Sequence, residues 1–123
     1  MAAPDDAVSI EDKLALFTAH WSPKVIAEAN GWEVKLVKVA GEFVPHEHAD
    51  VDEIFLVLAG ELEIRLEGRP DVCLRAGDLF VVPRGMVHQP MARAECHLML
   101  LEPGNVVNTG ASGGPLTARD EWL

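Results

Sequence analysis

From Lys24 onward, apolar and polar side chains alternate with the two-residue period of strands that bury one face. Glu33-Val-Lys-Leu-Val-Lys-Val alternates well. Glu61-Leu-Glu-Ile-Arg-Leu-Glu does so almost without fault, which turns Leu62, Ile64 and Leu66 inward. Ile54-Phe-Leu-Val-Leu-Ala is a continuous apolar run and reads as a buried strand. Further strands are predicted at Val72-Cys-Leu-Arg, Leu79-Phe-Val-Val and Cys96-His-Leu-Met-Leu-Leu, the last strong one. Gly68-Arg-Pro-Asp and Pro83-Arg-Gly85 punctuate them as turns. Short strands at such spacing, broken by Gly and Pro, indicate an all-β sandwich or barrel.

The amino-terminal pattern is different. Ser9 followed by Asp12 resembles a capping box, and Leu14, Phe17 and Trp21 continue at helical spacing. A short amphipathic helix is expected over about 10–20, ended by Ser22-Pro23, with the opening residues frayed. After Glu102-Pro-Gly the chain turns polar and Gly-rich, so 103–123 reads as a tail or a strap, with Trp122-Leu123 as its anchor. Trp21, Trp32 and Trp122 are expected to pack and anchor.

Length and composition then narrow the class. A chain of 123 residues with 49% hydrophobic content suits one globular domain, 1–123. No apolar run approaches the roughly 20 residues that span a bilayer, and the acidic start lacks signal-peptide character. A cytoplasmic protein with no membrane partner is expected. The formal charge of -10 argues against nucleic acid as a partner. Cys73 and Cys96 read as buried apolar residues and not as a disulfide.

Candidate chemistry sits in two stretches. His46 and His48 lie two apart on a β-type segment, so both imidazoles face one way while Glu47 turns aside. Glu53 stands at the mouth of the next strand, and His88 follows the Pro-x-Gly turn. Four inward polar groups left unpaired would each cost about 1–3 kcal/mol, and one divalent ion satisfies them together. His46, His48, Glu53 and His88 are therefore the expected metal ligands, for Mn, Fe, Zn, Ni or Co. An octahedral ion would keep two positions open for a small-molecule ligand offering adjacent oxygens. Phe55, Val57, Leu62, Ile64, Phe80, Val82, Met91 and Met99 are expected to line an apolar interior. Proton-transfer candidates are scarce. Either His97 or Cys96 faces inward, with His97 read as a packed or exposed strand residue. Asp50 and Asp52 read as solvated, and Arg84 as a surface group. Asn105, Asn108 and Thr109 read as hydrogen-bonding groups of a turn or strap.

These residues also carry a resemblance. Gly41, His46, His48, Glu53 and Gly60 resemble the first cupin motif, with one residue fewer than usual between Gly41 and His46. Gly77, Pro83, Gly85 and His88 resemble the second motif, with Ala92 where that motif has Asn. The resemblance spans about 33–102 and implies a double-stranded β-helix (jelly-roll) cupin barrel behind a short helix. It resembles the small mannose-6-phosphate-isomerase-like members, a label for fold more than for substrate. It implies a metal-dependent enzyme of isomerase, lyase or dioxygenase type, or a non-catalytic binding module on the same ligands. The open edges of so small a barrel suggest a homodimer, with the amino-terminal segment covering them across a two-fold axis.

Overall fold

The structure is a computed structural model that describes residues 6–123. The expected fraying of the opening residues falls largely on 1–5, outside the described residues. In chain order the elements are α1 (Ile10–Leu14), β1 (Lys24–Ala29), β2 (Trp32–Glu42), β3 (Glu53–Ala59) and β4 (Glu61–Leu66). They continue with β5 (Arg69–Arg75), β6 (Leu79–Val82), β7 (His88–Pro103) and β8 (Glu121–Trp122). No described helix is long and apolar enough to cross a membrane.

The strand β7 is the spine. It pairs antiparallel with β2 along most of its length, and also with β4 near His88 and with β3 further on. One strand can serve three partners because it runs for 16 residues, far beyond the Cys96–Leu101 stretch the apolar pattern marks. The sheet rolls around a core that includes Val37, Val39, Phe55, Leu62, Ile64 and Leu98. Leu62, Ile64 and Leu66 all point inward, as the alternation requires. The roll is not closed by hydrogen bonds: β6 pairs only with β3, and β5 only with β4.

Several expectations change. The helix is five residues long, not eleven. Ser9 caps it, accepting from the Asp12 N–H at 3.1 Å. It stops early because the Lys38 ammonium takes the Leu14 and Phe17 carbonyls, each at 2.7 Å, in place of later amide donors. The segment thus lies on the outer face of its own β2, where Phe17, Ile26 and Leu36 form a second core. That contact covers the outer face of β2 from within the chain itself. Among the described strands β5 and β6 each keep an unpaired edge, and β6 exposes Leu79 and Val81.

The β2 alternation also misleads. With the rolled core on one side and the amino-terminal segment on the other, Glu33, Lys35 and Lys38 are buried along with Leu36 and Val37. The run in β3 is buried on one face only: Phe55 and Val57 are enclosed, while Ile54, Leu56 and Leu58 are half-buried. Met99 belongs to the outer core, and the Met91 thioether accepts from Arg65, so neither lines the interior. Cys96 is buried but Cys73 is exposed, and both are free thiols. Trp21 packs, whereas Trp32 and Trp122 are 38% and 49% exposed, and Leu123 is the tail residue that docks on the outer core.

The tail is a strap. β8 pairs parallel with β1, and Thr109 is fully buried, sharing a 2.7 Å hydrogen bond with Thr117. Asn108 donates to the Trp21 and Leu116 carbonyls and accepts from the Ala118 N–H. These are the strap hydrogen bonds expected of Asn108 and Thr109. The strap also rests on the segment between the two motif histidines. Ser112 donates to the Pro45 carbonyl at 2.8 Å, and a Cβ added to Gly110 would lie 2.2 Å from the Glu47 oxygen.

Candidate metal centre

The backbone places the four expected ligands before their side chains are considered. His46 and His88 sit opposite each other in a two-residue bridge, His46 N–H to His88 O at 2.9 Å and the reverse at 2.8 Å. Gly85 N–H then donates to the His48 carbonyl at 2.9 Å, tying the second motif to the first. Glu53 opens β3, opposite Val82.

All four side chains are buried, and each offers a ligand atom within 4.8 Å of the others. Nδ1 of His46 lies 2.9 Å from the Val44 carbonyl, and Nδ1 of His88 lies 2.9 Å from the Met86 carbonyl. A carbonyl only accepts, so Nδ1 carries the hydrogen in both rings and Nε2 presents a lone pair. His88 Nε2 is 3.3 Å from Glu53 Oε1, and His48 Nε2 is 3.6 Å from Glu53 Oε2. Yet His48 Nε2, His88 Nε2 and Glu53 Oε1 are buried with no hydrogen-bond partner. Orphaned acceptors facing one another are what a shared cation would resolve. The residues present fit a divalent metal ion.

Protonation favours the same state. Burial holds His46 at about 3, helped by the neighbouring His88 and opposed by the Val44 carbonyl. Burial also lowers His48 and His88. All three rings are thus neutral, the form that binds a metal. Burial raises Glu53 in the ion-free protein, and a dication beside it would reverse that sign.

A second buried polar group adjoins this one, and it was not anticipated. Lys35 Nζ lies 2.8 Å from Glu102 Oε1, 2.6 Å from Asp120 Oδ2 on the strap and 3.7 Å from Glu33 Oε1. Burial alone would lower Lys35, but Glu102 and Asp120 outweigh it and raise it. Burial, and then the adjacent Glu53 carboxyl, push Glu102 up to about 9. Burial and Glu53 thus favour the protonated form of Glu102 in the ion-free protein, while the Lys35 ammonium pulls the other way. A signal for Glu102 was present in the sequence. It shares the parity of Cys96, Leu98 and Leu100, all of which are buried. Lys35 gave no comparable sign, because lysine on an alternating strand reads as the wet face.

Glu102 and Glu53 also face a cavity of about 40 Å³, walled by apolar residues that include Trp21, Phe43 and Phe55. Trp21 stacks on Phe43 at 4.6 Å between ring centroids. The other sequence candidates lie apart. His97 faces outward, its Nε2 2.8 Å from Glu95 Oε1, while His20 Nε2 holds the other Glu95 oxygen at 2.9 Å. Cys96 is the inward residue of that pair. Arg84 binds exposed Asp52 through its backbone N–H and its side chain, which keeps the Asp52 carboxyl low. Asp50 is exposed, and Asn105 stands on the strap with φ of 66°.

A rolled double-stranded β-helix with three histidines and a glutamate at one end defines a cupin. The Cupin_2 family, described as a cupin domain, matches residues 33–104, and the chain belongs to it. A cupin-2 domain containing protein from Shewanella frigidimarina is 51% identical, with a TM-score of 0.76 over 78% of this chain and 93% of that one. The uncharacterized protein YdbB of Bacillus subtilis is 41% identical over 64 residues, 52% of this chain and 57% of YdbB. Oxalate oxidase 1 of Hordeum vulgare is 32% identical over 80 residues, 59% of this chain and 40% of that protein. The chain thus spans 57% or less of these two curated relatives.

Proposed function

We propose that His46, His48, Glu53 and His88 hold one divalent transition ion, and that the protein is a metal-dependent enzyme for a small oxygenated metabolite. The observation that carries this reading is the convergence of four buried ligand groups, three of whose atoms are unpartnered, with the tautomers of His46 and His88 already set. The bound ion would supply Lewis-acid or redox chemistry to a ligand oxygen. Mn, Fe, Co, Ni and Zn all suit a ligand set of three nitrogens and one oxygen.

The chain's own residues do the rest. The Val44 and Met86 carbonyls hold two imidazoles in the binding tautomer and fix their planes. The apolar wall of the cavity excludes water and restricts size: about 40 Å³ leaves room for only a few atoms beyond the ion. No lysine, serine or tyrosine lines that cavity, so side-chain acid–base work falls to carboxyl groups. The name of the barley relative, an oxalate oxidase, agrees with a small oxygen-rich substrate. Reaction type stays open among isomerase, lyase and dioxygenase. The same scarcity of acid–base partners favours the second reading, a binding module that holds its ligand unchanged.

Elemental analysis of protein purified without chelators or affinity metals tests the first step, with one ion per chain expected and His88→Ala expected to lose it. Turnover assays on keto-acid, diol and uronate panels then separate the two readings. Binding without conversion would favour the module. A homodimer joined through the bare β6 edge belongs to this proposal, and sedimentation at one chain mass at micromolar concentration would exclude it.

A further inference from the structure

The proposed ligands are braced in different ways. A backbone carbonyl 2.9 Å from Nδ1 holds each of the His46 and His88 rings. A carboxylate cannot use that device, because it has no hydrogen to give to a carbonyl. Glu53 is buried and has more rotatable bonds than an imidazole, so its aim needs fixing from outside. Another carboxyl group does this: a side-chain hydrogen bond joins Glu53 to Glu102.

Glu102 is in turn held from behind. Its Oε1 accepts from Lys35 Nζ at 2.8 Å, and the fully buried Lys35 is gripped by Asp120 on the strap, 2.6 Å away. Outside the bond to Glu53, Glu102 Oε2 has no partner. A carboxyl that is 2% exposed and pinned at one oxygen has few directions in which to aim the other. An apolar residue at 102, in step with Leu98 and Leu100, would avoid the cost of burying a second carboxyl beside Glu53. Its presence there calls for a role that hydrocarbon cannot fill.

We propose that Glu102 is a positioning residue of the metal centre: it holds one oxygen of Glu53 by a hydrogen bond and so presents the other to the ion. Lys35 and Asp120 fix Glu102 in that pose. This rests on the metal-centre reading above. Glu102 is not itself a ligand. It keeps Glu53 from swinging away or closing both oxygens on the ion, which leaves coordination positions open for a substrate. The role requires an acceptor facing Lys35 and a donor facing Glu53 on one side chain. A glutamine amide supplies both.

That equivalence gives the test. The full chain and its variants are titrated with Co²⁺, each well below its own ion-free melting temperature. Affinity is read by competition with a chromophoric chelator, and the visible absorption of the ion reports its coordination. Glu102→Met, which can make neither bond, is expected to bind Co²⁺ about 10–100-fold more weakly and with an altered spectrum. Glu102→Gln should keep both affinity and spectrum close to the wild type. Glu102→Asp, one carbon too short to reach Lys35 and Glu53 together, should weaken binding as Met does, and it decides the matter if Glu102→Met fails to fold. A folded Met or Asp variant with wild-type affinity and spectrum overturns the proposal. So does a Glu102→Gln as weak as they are, because the ion would then depend on charge at 102 and not on the two bonds. Wild-type protein that retains no Co²⁺ overturns the metal reading instead, and elemental analysis shows this before any variant is compared.

Discussion

Two buried polar clusters share the inside of this rolled sheet, and they are built on opposite terms. Around Lys35 the charges close on themselves: an ammonium meets Glu102, Asp120 and, more distantly, Glu33. Around His88 nothing closes. Three neutral imidazoles and a carboxyl converge, and three of their atoms have no partner. In the first cluster the fold itself brings the counter-groups to Lys35, so its loss would be felt as instability. The second is complete only with something added. Burial of polar groups alone does not separate structure from function; what separates them is whether the protein supplies the partner itself.

The comparison can be broken hardest at Lys35. Lys35→Met leaves Glu102 and Asp120 without their cation, and loss of one member of a buried pair is expected to cost about 3–5 kcal/mol. Urea unfolding of the ion-free protein measures this, and a change below 1 kcal/mol would show the cluster to be dispensable. His88→Ala should behave in the opposite way. It removes an unpartnered atom, so ion-free stability should move less than in Lys35→Met. What disappears is the stabilisation gained on adding metal, about 2.7 kcal/mol at a hundredfold excess over the dissociation constant.

Acidity sharpens the contrast further. His46 is lowered from 6.5 to about 3, so the unfolded chain takes up its proton first, and ion-free stability should fall as the pH drops below 6.5. Glu102 is raised from 4.5 to about 9, so the folded state holds the extra proton, and its contribution should be lost as the pH rises toward 9. Each limb has a slope of at most about 1.4 kcal/mol per pH unit. Thermal melts from pH 4 to 9, on the order of one per unit, test both arms. Glu102→Gln should flatten the alkaline arm only, and a wild-type curve without that arm would contradict the assignment. The smallest effect is expected at His97, whose side chain hydrogen-bonds Glu95 on the outer face. His97→Ala should leave metal content and affinity unchanged by elemental analysis and titration.

The same contrast explains what could be read from the chain. His46, His48, Glu53 and His88 were legible because local spacing fixes them: a two-residue period, a strand start and a Pro-x-Gly turn. The inward set Leu62, Ile64 and Leu66 was legible for the same reason. Lys35 was not, because its burial depends on Asp120 reaching it from 85 positions away, which no local pattern encodes. The helix failed on similar grounds. Its own residues favour more turns, but a lysine on β2 takes the carbonyls they would need. Periodicity reports one face of an element well, and it fails where a distant segment covers the other.

The strap carries a practical consequence for anyone handling this protein. Its Gly110 backbone lies on the Glu47 carbonyl, its Ser112 hydroxyl is tied to Pro45, and the chain end pairs with β1 through the Leu123 N–H and the Val25 carbonyl. A purification tag or fusion partner appended after Leu123 would pull on the peptide that joins the two histidines. Ion occupancy of protein labelled there is expected to depend on how well the strap stays seated, which elemental analysis with and without the label would measure.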